Sequence, residues 1–156
     1  MNELYTDAMR DKGLADAADL QLRAPEMDGT ALYAEQDKIP DFTAACTAKN
    51  MLQRQAGFIC RSSAGRVMKL IQPYDSDIYT QEPEDLPAQW APYWSKDPKH
   101  AVDFIAIATA PWMTGDCCKW EGRVFRSKED NNVWSPGDQP QRWEDLGTIL
   151  EIMEGN

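Results

Sequence analysis

Apolar residues in the first 25 positions recur at helical spacing. Leu4, Tyr5, Ala8 and Met9 fall on one face of residues 2–12, and Gly13 stands where a helix would end. Asp16, with Asp19 three residues on, reads as the N-cap of a second short helix carrying Ala17, Ala18, Leu20 and Leu22 up to Pro25. The pattern predicts a helical hairpin over residues 1–27. Helices this short do not hold in water unaided, so the hairpin must lean on the rest of the chain or on its own copies in an oligomer. A continuous trimeric coiled coil is the less favoured version, because Gly13 and Asp11 would lie on its seam.

Residues 28–56 form a connecting segment in which 31–34 is the one ordered-looking piece, and 42–52 fits a helical turn or a strand equally. From Gly57 the texture becomes β-like. Residues 58–60, a Ser-Ser-Ala-Gly turn and residues 67–71 have the shape of a hairpin. Residues 73–92 carry prolines at 73, 83, 87 and 92 and read as a long loop, with Trp90 placed to pin it over a small sheet. The run of Val, Phe, Ile and Ala over residues 102–108 predicts a strand buried on both faces and central to the packing. A second hairpin follows, turning at Glu121-Gly122, and a Pro-rich segment closes on Trp143. Residues 146–153 fit one more strand or a frayed tail.

The two hairpins belong to a longer repeat. Cys60-x4-Gly65-Arg66-Val67-x-Lys69 and Cys117-x4-Gly122-Arg123-Val124-x-Arg126 are each followed by Pro-x-Asp-x-Pro-x2-Trp, ending at Trp90 and Trp143. Eight positions coincide across one free gap, which residue frequencies near one in twenty make hard to reach by accident. The expected fold is therefore α+β: a short N-terminal helical hairpin followed by two duplicated small antiparallel β modules, residues 57–98 and 99–156. Modules of this size bury too little to be comfortable alone, so they are expected to share a core or pack on a second subunit.

Composition narrows the partners. With 16 basic against 26 acidic residues in 156, net −10, the chain is not built to grip nucleic acid or an anionic membrane surface. No stretch is long and apolar enough to span a membrane and none reads as an export signal, which points to assembly in a cytoplasm. Cys46, Cys60, Cys117 and Cys118 lack zinc-ligand spacing and are expected to be free core thiols, with Cys60 and Cys117 in equivalent places.

Little in the sequence supports catalysis. The single histidine, His100, sits in a polar linker, Ser62 and Ser63 lie outside any nucleophile motif, and no phosphate loop or dinucleotide fingerprint is present. A calcium site drawn from Asp75, Asp77 or Asp130 lacks diagnostic spacing, so no metal and no cofactor are expected. What stands out is the density of aromatics in loops: Trp112, Trp120, Trp134 and Trp143 fall within about thirty residues. Flat aromatic faces with polar neighbours suit the stacking of a pyranose ring, and large aromatics are equally the means by which a small β module fills its core.

The stretch Trp112-Met-Thr-Gly115-Asp116-Cys-Cys118-Lys-Trp120-Glu-Gly122-Arg-Val-Phe125, followed by Trp134-Ser-Pro136 and Pro140-Gln-Arg-Trp143, resembles carbohydrate-binding module families 5 and 12, small chitin- and cellulose-binding β modules. The resemblance implies a non-enzymatic glycan-binding module, with Trp112, Trp120 and Trp134 as stacking residues and Asp116, Asp130, Asn131 and Asn132 as polar contacts. Trp90 and Trp143 match the closing tryptophan and are assigned to the two cores. The pattern departs at Lys128 and Glu129, which stand where those families carry exposed aromatics. Nearly the whole chain is also similar to small tail-associated proteins of phages and prophages of Gram-positive gut bacteria. That likeness implies a virion tail protein, commonly trimeric, contacting a host cell-surface polysaccharide and other tail or baseplate proteins. The alternative is a structural adaptor of the tail or baseplate that binds no sugar.

Overall fold

Pro25, not Gly13, marks the end of the first helix. In the computed structural model, which describes residues 3–155 and side chains from residue 9 onward, α1 runs unbroken over Glu3–Arg23. The expected hairpin is thus a single helix. A glycine ends a helix only by turning left-handed, and Gly13 keeps a negative φ. Side-chain pairs one turn apart, Lys12–Asp16 at 2.9 Å and Asp19–Arg23 at 2.8 Å, run along the solvent face. Only the second half of α1 is docked, through buried Leu20 and half-buried Ala17 and Gln21, while residues 9–15 are all exposed. The face named for Leu4, Tyr5 and Ala8 lies outside the described side chains.

Two short helices follow. α2, Gly29–Ala34, starts at Asp28, whose carboxylate accepts the Ala31 N–H at 2.8 Å. Gly29 is dictated by close approach, because a Cβ there would lie 2.0 Å from the Trp94 carbonyl oxygen. α3, Phe42–Ala48, resolves the ambiguity of residues 42–52 in favour of helix.

The first sheet is the meander β1 (Ile59–Arg61), β2 (Val67–Leu70) and β3 (Trp90–Pro92). The second has β4 (Val102–Asp103), β5 (Cys117–Trp120), β6 (Arg123–Ser127) and β7 (Trp143–Thr148), with β4 parallel to β5 and the rest antiparallel. The long strand expected over residues 102–108 shrinks to the two residues of β4. Its apolar character serves side-chain packing instead: Val102 and Ile107 are buried, and Phe104 lies among tryptophans. Of residues 146–153, the first three belong to a strand, as part of β7, and the rest form a short helix, α4 (Ile149–Glu154), capped by the Thr148 hydroxyl.

The two sheets share one register. Lys69, Met68 and Leu70 face Ala91, Pro92 and Trp90, as Arg126, Phe125 and Ser127 face Glu144, Asp145 and Trp143. On the other side of each hairpin a parallel partner aligns Asp41 with Arg61 and Asp103 with Lys119. The cysteines need a one-residue correction. Cys60 pairs with Met68, and Cys118, not Cys117, pairs with the equivalent Phe125. The cause lies in the turns. The first hairpin closes through a three-residue loop with Gly65 at φ 83°, and the second through a two-residue turn with Glu121 and Gly122 at 46° and 81°.

One core joins the sheets. Leu20, Leu32, Tyr33, Ile59 and Val67 from the first half meet Trp94, Val102, Trp112, Cys118 and Trp143 from the second. The first sheet has a further cluster of its own around Trp90, whose indole N–H donates to the Tyr74 hydroxyl at 2.9 Å and whose ring meets Phe42 and Tyr74 edge-on. Trp90 therefore pins the proline-rich loop, and both closing tryptophans are core residues. All four cysteines are free, and burial raises every thiol pKa, that of Cys117 to about 11.

Candidate functional site

The tryptophan-rich end of the second sheet divides into a buried and an exposed set. Trp112 has 0% of its surface exposed. It stacks on Trp94 with centroids 3.8 Å apart, meets Phe104 and Trp143, and donates its indole N–H to the Ile105 carbonyl at 3.0 Å. No pyranose can reach it, so the structure removes it from the stacking set. Trp120 is half-buried, set edge-on to Phe104 and lying against Gly137, where a Cβ would come within 3.1 Å of the indole nitrogen.

The polar candidates divide the same way. Asp116 is buried, and its carboxylate accepts the Met113 N–H at 2.8 Å and the Lys96 ammonium at 3.1 Å. It closes the turn over residues 113–116 around Gly115. Asn132 is fully buried, donating to the Ser127 hydroxyl at 3.0 Å and accepting the Trp134 N–H at 3.3 Å. Both are structural residues, a correction with one cause: each satisfies backbone or side-chain groups that the aromatic core takes out of water.

Three candidates stay on the surface, all on the loop after β6. Asp130 accepts the Thr114 N–H at 3.0 Å, and hydrogen bonds from Thr114 hold its carboxyl below the usual range. Asn131 is exposed with φ 57°, a left-handed conformation that asparagine tolerates. Trp134 is 39% exposed. The Arg142 guanidinium lies 4.1 Å from its ring centroid and is itself paired with Glu129. The charged residue at 129 thus places Arg142 on one face of the indole, where a sugar ring would otherwise stack. Glu129 stood out in the sequence only as a departure from the aromatic pattern, and Arg142 did not stand out at all, since an acid and an arginine thirteen residues apart leave no signal until the β6–β7 loop brings them together.

Comparison with protein-family models, curated proteins and solved structures finds no match. The likeness of residues 112–143 to the carbohydrate-binding modules therefore rests on the residues quoted for it.

Elsewhere the surface offers polar hollows. One of about 470 Å³ lies in the first half between Asp41, Thr43, Arg61, Ser62 and Gly65, and none of the seven residues chosen from the sequence lines it. Arg61 reaches Asp41 at 3.4 Å across its mouth. Asp75, considered for calcium, accepts the Asn50 side-chain amide and the Asp77 N–H, each at 3.0 Å, which lowers its pKa. Among the described residues no three His, Cys, Asp or Glu side chains converge to hold a metal. No helix of the described residues is long and apolar enough to cross a membrane.

Proposed function

We propose that this chain is a non-enzymatic assembly protein of a phage or prophage tail, an adaptor whose β modules form a rigid body and whose first helix is the contact arm. The observation that carries this reading is the half-docked α1. Residues 9–15 stand clear of the body, with Met9 and Leu14 exposed, and Leu22 joins them further along. An isolated helical stretch of that length is marginal in water, so its stability must come from packing on another surface. A neighbouring tail protein or further copies of the chain would supply that surface.

A second reading keeps a host glycan as ligand, and one observation favours it. Trp134 is exposed and its plane is fixed by Arg142, with Asp130 and Asn131 exposed on the same loop. A ring held in this way offers its uncovered face as a single stacking surface. This is a reduced platform compared with three tryptophans.

Light scattering of the wild type and of a Met9→Lys/Leu14→Lys variant, beside a glycan array with Trp134→Ala, tests the two together. The adaptor reading expects a stable oligomer, or capture of one neighbouring tail protein, that the lysine variant loses while its melting temperature stays the same. A monomer that captures no tail protein, and binds a glycan in a Trp134-dependent way, overturns the adaptor reading in favour of the second.

A further inference from the structure

A hollow of about 210 Å³ lies where the two modules meet. Its walls come from three places: Gln36 after α2, Gly65 in the first hairpin loop, and Lys99, His100, Asp103 and Lys119 around β4 and β5. We infer that this hollow is a binding site for a phosphate group.

The charge pattern argues for an anion. The chain carries ten more acids than bases, and most of its cations are matched to an acid: Lys38 to Glu35, Lys96 to Asp116 and Arg123 to Asp145, all within 3.1 Å. Lys99 and Lys119 face the same hollow, and among the described residues neither ammonium has a carboxylate within reach. Asp103 is the one acid on the wall, so the two lysines leave the lining with a positive balance. Its backbone carbonyl is held from behind by the Arg66 guanidinium at 2.8 Å.

The polar groups point the same way. His100 lines the hollow beside the lysines, with its Nδ1 closed to solvent and 3.6 Å from the Asp97 carboxylate. Gln36 adds an amide that can donate. Ammonium groups act on phosphate as point charges, whereas a carboxylate is best held by a guanidinium fork, which this hollow lacks. The volume falls below the roughly 300–1,000 Å³ of pockets for drug-sized ligands, which suits a phosphate and its waters but not a nucleotide. Because the walls belong to both modules, an occupied site would tie them together and stabilise the whole chain.

The test is a titration of the full chain with inorganic phosphate at constant ionic strength, read by calorimetry and by melting temperature, with acetate and chloride as controls. Glucose 6-phosphate forms a second arm. Saturable binding of phosphate that raises the melting temperature is expected, and a folded Lys99→Gln/Lys119→Gln variant should bind at least roughly tenfold more weakly, each lysine contact being charge-assisted. Lys49→Gln, elsewhere on the surface, should bind as the wild type does. Tighter binding of the sugar phosphate would assign the group to a phosphorylated sugar, and equal or weaker binding to free phosphate; both support the site. No response beyond that to chloride, equal affinity for acetate, or full affinity in the double-lysine variant overturns it.

Discussion

Neutralising Glu84 should destabilise the fold far more than its place in a proline-rich loop suggests. Its carboxylate meets Arg66 Nη1 at 2.7 Å and the Ser62 hydroxyl at 2.6 Å, and each partner of the ion pair exposes only 8% of its side chain. Arg66 spends its other terminal nitrogen on the Asp103 carbonyl at 2.8 Å, and its Nε has no partner. Glu84→Gln keeps the shape of the site but leaves the guanidinium buried without a counter-charge. Removing one partner of such a pair costs about 3–5 kcal/mol. At 2–4 °C per kcal/mol for a chain of this length, the melting temperature should fall by roughly 10 °C. Replacing both partners with apolar side chains, Arg66→Met/Glu84→Leu, should recover most of that loss, because the desolvation cost disappears along with the attraction. Urea denaturation followed by circular dichroism measures all three proteins. A loss below about 1 kcal/mol in Glu84→Gln, the size of an exposed pair, would refute the reasoning. So would a double variant no more stable than the single one.

Two further outcomes follow from α1 and its anchor. Gly13→Ala should raise stability by about 0.5–1 kcal/mol in the same denaturation experiment, since Gly13 lies within a helix and an added methyl group meets nothing within 4 Å. A lower stability would mean that the helix breaks at Gly13 after all. Glu35 is held down to about 2 by its two hydrogen bonds from Arg23 and then by Lys38, against an ordinary 4.5. A depressed carboxyl stabilises the fold above its unfolded value and loses that effect as pH falls through the folded one. The melting-temperature gap between wild type and Glu35→Gln should therefore be full above about pH 4.5 and close towards pH 2. A gap independent of pH would show that the anchor is not electrostatic.

The hairpins and the closing tryptophans were legible because local chemistry decides them. Gly65 and Gly122 supply the positive φ that each turn needs, and the Pro-x-Asp-x-Pro-x2-Trp segments deliver Trp90 and Trp143 to matching register positions. The errors came where tertiary context overrides local preference. Gly13 has the identity of a helix stop but not the left-handed turn, and the apolar run after Val102 fills a core as irregular chain. The division of the candidate site into buried and exposed residues was illegible for a similar reason. Nothing within a few residues of Trp112 or Trp134 says that one will stack on Trp94 and the other face water. That difference is set by Trp94 and Arg142, which lie 18 and 8 positions away.

The shared register shows how two copies of one motif do different work. In the shared register Ser62 corresponds to Trp120, and Glu84 to Gly137 in the Pro-x-Asp segments. Each copy brings its own pair into contact. In the first, a small serine leaves room for Glu84, which hydrogen-bonds it and reaches on to Arg66; in the second, a glycine leaves room for the indole of Trp120. Large and small have changed places across one contact, as close packing requires when one side grows. The surroundings set the choice. Arg66 lies under the second module and needs a buried counter-charge, whereas its equivalent Arg123 is only half-buried and pairs with Asp145 at the surface. An acid at position 137 would have no buried cation to meet. The first copy thus uses this position in the joint between the modules, through Arg66 to the Asp103 carbonyl, and the second uses it to extend its aromatic wall.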